Sequence, residues 1–272
     1  MRWEHPIANS GAKIVDISHY ERDDGRWSDY SLETLTGICL LRSGGFYRDA
    51  EGRQEFLDAT TGHFVRPGVE ERFRHPGKLA YRYTLLQLTP EAYGDQVEGA
   101  ERAVGWAVPI NTTLDMRHRA LLAACARSED PFAEHELLTL LLEELPTRVE
   151  RPTCSDPLQT RAAHRRLAAR TQEALAYEGN LSIGMDELAQ LVGSSPHHLS
   201  RVFRRETGRT LSSYRTELRV RAVLEDFTAN TGSLAELAAA HGFADHAHLA
   251  RTIRRYHGEV PSALRAALRH DQ

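Results

Sequence analysis

The chain has 272 residues, 41% apolar and 26% charged, a length that suits two compact domains and a composition that excludes collagen-like, low-complexity and wholly disordered classes. No run approaches the roughly 20 apolar residues of a membrane helix, and the opening Met1-Arg2-Trp3-Glu4-His5-Pro6 lacks the apolar stretch of a secretory signal. The net charge of −4 is unevenly spread: from Ser155 onward 16 arginines stand against 13 acidic residues, so the acidic excess lies entirely before that point.

A cytoplasmic protein is therefore expected, with no membrane contact, no cofactor and no metal. The three cysteines, Cys39, Cys125 and Cys154, are odd in number and show no C-x-x-C spacing, so disulfides are not expected to hold the fold. Lys13 and Lys78 are the only lysines. Guanidinium carries nearly all the positive charge, which suits bidentate contacts to phosphate or guanine, although codon bias is the better account of it.

Residues 7–88 read as strands. Clusters such as Ile38-Cys39-Leu40-Leu41 and Tyr81-Arg82-Tyr83-Thr84-Leu85-Leu86 are separated by turn signals at Ser43-Gly44-Gly45, Gly52, Thr61-Gly62 and Pro67-Gly68. Strand-sized pieces between frequent turns predict a small antiparallel barrel or sandwich. After Pro109 leucines recur at three- and four-residue spacing over 114–127 and 132–145, predicting two amphipathic helices. In the second, Leu137, Leu138, Leu140, Leu141, Leu142 and Leu145 cover more than one stripe, which fits either a dimer seam or burial in the domain's own core. Pro146 and then Pro152-Thr153-Cys154-Ser155-Asp156-Pro157 read as an interdomain break. The expected division is a first domain over 1–150, a linker over 151–157 and a second domain over 158–272.

The second domain contains a repeat of about 49 residues. Leu188-Ala189 and Gly193 match Leu237-Ala238 and Gly242. After a one-residue insertion, Leu199, Arg201, Arg204-Arg205, Gly208, Ser212 and Arg215 match Leu249, Arg251, Arg254-Arg255, Gly258, Ser262 and Arg265. Each copy has a short helix, a glycine turn and a second helix, the parts of a helix-turn-helix. Ser195-Pro196 supplies an N-cap and a first-turn proline in one copy, and Ser233-Leu234-Ala235-Glu236 a capping box in the other. On the second helices Leu199, Val202 and Phe203, and likewise Leu249, Thr252 and Ile253, are spaced to face a core. The opposite faces carry Ser195, His197, His198, Arg201 and Arg205 in one copy and Asp245, His246, His248, Arg251 and Arg255 in the other. Donors near a helix start and arginines further along are what a recognition helix needs in a major groove. A solvated surface would not explain why that face occurs twice.

The C-terminal pattern resembles the DNA-binding domain of the AraC/XylS family over residues 158–269. The resemblance rests on Gly242-Phe243-Ala244-Asp245, Leu249-Ala250-Arg251 and Gly258-Glu259-Val260-Pro261. Leu249 and Ile253 stand where the family usually has an aromatic, and Leu264 where it has tyrosine or tryptophan. The resemblance implies a long helix over 211–227 joining the two units, with Arg219 and Arg221 bracing the domain. The N-terminal region is similar to the family's cupin-like sensing domain in Gly45-Phe46-Tyr47-Arg48-Asp49, Phe64-Val65-Arg66-Pro67-Gly68 and Glu70-Glu71-Arg72-Phe73. An α+β protein is thus expected: an N-terminal antiparallel β-barrel of cupin type, two helices, then an all-α domain with two helix-turn-helix motifs.

The resemblance also implies a non-enzymatic, sequence-specific transcription regulator. Its partners would be a double-stranded DNA operator, a small effector, a second copy of the chain and RNA polymerase. Trp27, Tyr30, Phe46, Phe64, Arg66, His75, Tyr81 and Tyr83 are the residues that would furnish an effector site or, equally, barrel core. Two alternatives stay open. A cupin metalloenzyme would have to draw on His63 and His75, which lack an H-x-H pair, and a thiol sensor would use Cys39, Cys125 or Cys154.

Overall fold

The computed structural model describes residues 2–19, 25–50, 52–77, 79–96, 107–127, 130–145, 158–229 and 232–268. The expected linker at 151–157, with Cys154, lies outside them.

The N-terminal strands are β1 (Arg2–Ile7), β2 (Ala12–His19), β3 (Ser31–Leu32), β4 (Gly37–Ser43), β5 (Gly45–Ala50), β6 (Arg53–Asp58), β7 (Thr61–Val65), β8 (Glu70–Arg74), β9 (Tyr81–Leu88) and β10 (Ala107–Pro109). A short helix α1 (Pro90–Gln96) precedes β10. The strands form two antiparallel sheets, ordered β1-β2-β9-β4-β7-β10 and β3-β8-β5-β6. Period-two alternation divides the larger sheet's side chains between two cores. Ile14, Ile38, Leu40, Phe64, Leu86 and Leu88 turn to one face. Cys39, Leu41, Val65 and Tyr81 turn to the other, where Phe46 and Leu57 of the smaller sheet meet them.

Helices α2 (Thr112–Arg127) and α3 (Pro131–Glu143) form a hairpin over the first of these faces. Asp130 caps α3, its side chain accepting from the Phe132 N–H at 2.9 Å, and Pro131 occupies the first turn. Of the six leucines at the end of this hairpin, Leu138, Leu141, Leu142 and Leu145 are buried in the chain's own core. Leu137 and Leu140 are only half-buried.

The C-terminal domain comprises α4 (Leu158–Ala176), a 3-10 turn at Glu178–Leu181, α5 (Met185–Leu191), α6 (Pro196–Thr207), α7 (Leu211–Thr228), α8 (Leu234–Ala240), α9 (His246–His257) and α10 (Pro261–Leu268). Helix α7 is the spine. Its first half gives Leu211, Tyr214 and Leu218 to one core, with Leu188, Leu199 and Phe203 of the first unit. Its second half gives Val220, Val223, Leu224 and Phe227 to another, with Leu237, Leu249 and Ile253 of the second. Leu249, Ile253 and Leu264, smaller than the aromatics usual in the family, are all buried, and Phe227 and Phe243 bring aromatic bulk to the same cluster. The two domains share these cores, since Ala59 packs into the first and Met116 against the second.

Candidate nucleic-acid interface

Each unit turns between its two helices at a glycine in the left-handed region, Gly193 at φ +65° and Gly242 at φ +70°, where a Cβ would be strained. The second helices then start on side-chain caps. Ser195 accepts from the backbone N–H of His198 at 3.4 Å, and Asp245 from that of His248 at 2.6 Å. Leu199, Val202 and Phe203 of α6, and Leu249, Thr252 and Ile253 of α9, are buried. With those faces fixed, helical geometry drives the remaining side chains outward. His197, Arg201 and Arg205 are exposed on α6, as are His246, His248, Arg251 and Arg255 on α9, while His198 is half-buried.

Neighbouring groups orient this surface. His198 Nδ1 lies 3.3 Å from an Arg201 guanidinium nitrogen, and the His198 ring is 5.8 Å from that of His164 on α4. Arg205 is hydrogen-bonded to His164 Nδ1. The Arg255 guanidinium lies over the Tyr256 ring, and the Ala244 N–H donates to His248 Nδ1 at 3.3 Å. Ser195 and Asp245 therefore act first as caps. Binding the His198 N–H holds the Asp245 equivalent, Ser195, in place as a neutral group, whereas the N–H of His248 holds the Asp245 carboxyl below its usual range. Arg204 and Arg254, equivalent in the repeat, are also exposed on these faces. Their place, three residues beyond Arg201 and Arg251, is the signal that marks them.

The opposite side of α7 is locked to the N-terminal domain. Glu225 accepts from Arg42 of β4 at 2.8 Å, Arg119 of α2 at 2.8 Å and Arg82 of β9 at 3.0 Å. Burial alone would raise its pKa, but these guanidiniums more than reverse that and hold the carboxyl well below the usual carboxylate range. Arg221 is 2% exposed, meets Asp115 at 3.4 Å and Glu217 at 2.7 Å, and donates to the Ile110 carbonyl. Arg219 donates to the Leu181 carbonyl at 3.0 Å. Both arginines brace the fold. The Tyr214 hydroxyl donates to Asp58, and that of Tyr47 donates to Glu173 at 2.6 Å, adding two further ties between domains. Sequence reasoning missed Arg42, Arg119 and Glu225, whose partners are far apart in the chain.

Between the N-terminal sheets lies a cavity of about 320 Å³, walled by Cys39, Phe46, His63, Glu71, Phe73, His75, Tyr81, Tyr83 and Leu85 among others. Of the eight residues expected at an effector site, Phe46, His75, Tyr81 and Tyr83 line it. The other four sit elsewhere. Phe64 turns to the face packed on the helices, because its neighbours His63 and Val65 are the ones that point inward. Tyr30 is 53% exposed, under the Arg72 guanidinium, and its hydroxyl donates to Asp49. Trp27 stacks beneath Arg72 and Arg74, and Arg66 is half-buried outside the cavity wall.

Three ionisable groups on the cavity wall, His63, Cys39 and Tyr83, are held in their neutral forms. Burial, with Arg48 nearby, drives the His63 imidazole well below its ordinary value, and burial pushes the Cys39 thiol and the Tyr83 phenol up. Glu71 is paired to Arg48 at 2.6 Å. His63 Nδ1 is buried with no hydrogen-bond partner among the described residues. Burial also raises the Cys125 thiol to about 12, with the Glu134 charge adding to the effect. Neither Cys39 nor Cys125 has the depressed pKa of a redox-sensing thiol.

Two helix-turn-helix units on one spine helix, each presenting an exposed face rich in arginine and histidine, define a double helix-turn-helix DNA-binding protein. Residues 188–267 match the family described as "Helix-turn-helix domain". The chain is 28% identical to the HTH-type transcriptional regulator GlxA of Rhizobium meliloti (strain 1021) over 269 residues, 88% of this chain and 71% of that one. It is 36% identical over 84 residues to the XylDLEGF operon transcriptional activator 2 of Pseudomonas putida, covering 30% of this chain and 54% of that protein. Among solved structures, a transcriptional regulator with an AraC-type DNA-binding domain from Chromobacterium violaceum matches 36% of this chain and 94% of its own, with 27% identity and a TM-score of 0.32. Residues 188–267 thus form a helix-turn-helix domain, and the chain is similar to transcription regulators of the AraC/XylS type. Among the described residues no helix is long and apolar enough to cross a membrane.

Proposed function

We propose that this regulator places α6 and α9 in successive major grooves of one operator and that a small molecule in the N-terminal cavity controls it. The observation that carries the reading is the equivalence of the two exposed helix faces, each held by a buried apolar face on the same spine. Arg201 and Arg251, in the first half of each helix, are assigned to bases, and Arg205 and Arg255 to phosphates. His197, His198, His246 and His248 supply further donors, with Ser195 and Asp245 at the helix starts. Grooves about 34 Å apart on one side of the duplex suit two units rigidly joined.

The cavity favours a small, uncharged and largely apolar effector with one polar group to meet His63. Such a ligand would act on α7 through β4, because Cys39 and Arg42 share that strand and Arg42 holds Glu225. Dimerisation through α3 belongs to the same reading, supported by the half-buried Leu137 and Leu140 and the exposed Phe132. RNA polymerase is then the partner through which a bound dimer alters transcription, and the cytoplasm is its place of work. Catalysis has no support among its relatives, which are regulators.

The test is binding of the purified chain to fragments of its own genomic neighbourhood over a salt series, with competitor DNA. One fragment should hold the protein against competitor. Equal retention of every fragment, with and without small apolar molecules, would overturn the reading.

A further inference from the structure

Three chemically different metal-binding side chains meet outside both the DNA-facing surface and the cavity. His5 lies on β1, the edge strand of the larger sheet, Cys125 in the last turn of α2 and Glu134 in the first turn of α3. One ligand atom from each lies within 4.8 Å of the other two, and His5 Nε2 is 2.9 Å from a Glu134 carboxylate oxygen. Cys125 is fully buried and Glu134 is 4% exposed, while the His5 side chain retains 19% of its exposure. Trp3 stacks on the His5 ring with centroids 5.5 Å apart and fixes its plane.

We propose that His5, Cys125 and Glu134 bind a divalent metal ion of the zinc class. The donor set selects the ion. One imidazole, one thiolate and one carboxylate make a mixed nitrogen, sulfur and oxygen set that suits borderline Zn²⁺, whereas Mg²⁺ and Ca²⁺ take oxygen alone. The charge agrees: thiolate and carboxylate together carry −2, which a divalent ion cancels in a buried place, while Cu⁺ would leave a net negative charge there. Binding must displace the Cys125 proton, as metal coordination of a thiol does.

Three protein ligands leave a fourth position, and the partly exposed His5 side is where a water molecule or a solvent-derived ligand would fill it. A hydrogen-bonded His–Glu pair beside a buried thiol would account for the same contacts without metal, so the test must read the sulfur directly. The ion would fasten the edge strand to both helices of the hairpin, joining His5 to a hairpin whose Glu134 lies 129 residues further along the chain. This site is independent of the effector reading, and neither stands or falls with the other.

The full chain, reduced and stripped with a chelator, is titrated with Co²⁺ and then with Zn²⁺. The expected result is one equivalent of Co²⁺ per chain, a near-ultraviolet thiolate-to-cobalt charge-transfer band, and displacement by Zn²⁺. Cys125→Ala abolishes the band, whereas Cys39→Ala and Cys154→Ser keep it. His5→Ala, at a partly exposed position that the fold tolerates, weakens binding by no less than the roughly 10- to 100-fold that losing an outer hydrogen-bond partner of a ligand costs. Zn²⁺ raises the Tm of the parent chain by more than that of His5→Ala at the same concentration. Metal bound without a thiolate band, a band that survives Cys125→Ala, or an equal Zn²⁺-induced Tm shift in His5→Ala would each overturn the proposal.

Discussion

On the outer face of the C-terminal domain Arg201, Arg205, Arg251 and Arg255 stand in solvent, whereas on its inner face Arg221 is 2% exposed and sits with Arg119 among Asp115, Glu217 and Glu225. The same side chain does opposite work in the two places. Outside, an exposed guanidinium is accessible to a nucleic acid. Inside, the donors are spent on carboxylates and carbonyls of the other domain, and removing one partner leaves a charge buried without compensation. Arginine content alone therefore says little about binding, and the face on which each arginine lies decides its role.

The largest effect that would separate the two faces is on stability. Glu225→Ala leaves Arg42 and Arg119 without their shared carboxylate and should cost about 3–5 kcal/mol of unfolding free energy in urea. Arg201→Ala in the same assay should stay within about 0.5 kcal/mol of the parent. Equal losses in the two variants would erase the distinction.

Acid should act on the inner face in the same direction. Burial draws His118 from its ordinary 6.5 to about 3 and His257 to about 4. Each is neutral when folded and takes up a proton on unfolding, so the unfolded chain binds more protons between those values and 6.5. Stability is then complete above 6.5 and falls as pH drops toward 4. Glu225 and Asp115, held below the ordinary carboxylate range, add a further loss below about 4.5. Urea midpoints measured from pH 7 to pH 4 should decline continuously, and His118→Leu should flatten the upper part of the slope. A level profile would contradict the inner-face assignment.

The smallest effect compares the two units. Ser195→Ala removes the cap of α6 and should cost about 1 kcal/mol, restored in part by Ser195→Asp, the residue type that α9 uses at Asp245. The charge of Asp245 near a helix start also distinguishes the units toward DNA, since a carboxylate repels phosphate and accepts from cytosine N4. Asp245→Ser should shift base preference more than Ser195→Thr. Identical preferences in both variants would show the caps to be structural alone.

Much of the C-terminal domain was legible because its signals are local. Gly193, Gly242, Ser195-Pro196 and the Ser233–Glu236 capping box fix helix ends within a few residues of themselves. The repeat then placed Arg201 and Arg251 on equivalent faces. The strands were legible as strands, but not their facing: a one-residue change of parity separates Phe64, turned to the helices, from His63 on the cavity wall. Tyr30 and Trp27 gave aromatic character without position, and both lie outside the cavity beside Arg72. The network around Glu225 was not legible at all. Arg42 and Glu225 are 183 residues apart in sequence, and only the packing of β4 against α7 joins them. His5 is likewise 129 residues from Glu134, and only the packing of β1 on the α2–α3 hairpin brings it to Glu134 and Cys125.

The most direct measurement compares operator binding by the parent chain with that of the Arg201→Ala/Arg251→Ala double variant, across a salt series and with competitor DNA. The parent should hold one fragment against competitor. Each arginine should contribute about 1–3 kcal/mol of discrimination, so the double variant should fall to sequence-indifferent binding while its Tm stays at the parent value. A double variant that keeps the parent's discrimination would contradict the assignment of α6 and α9 as recognition helices.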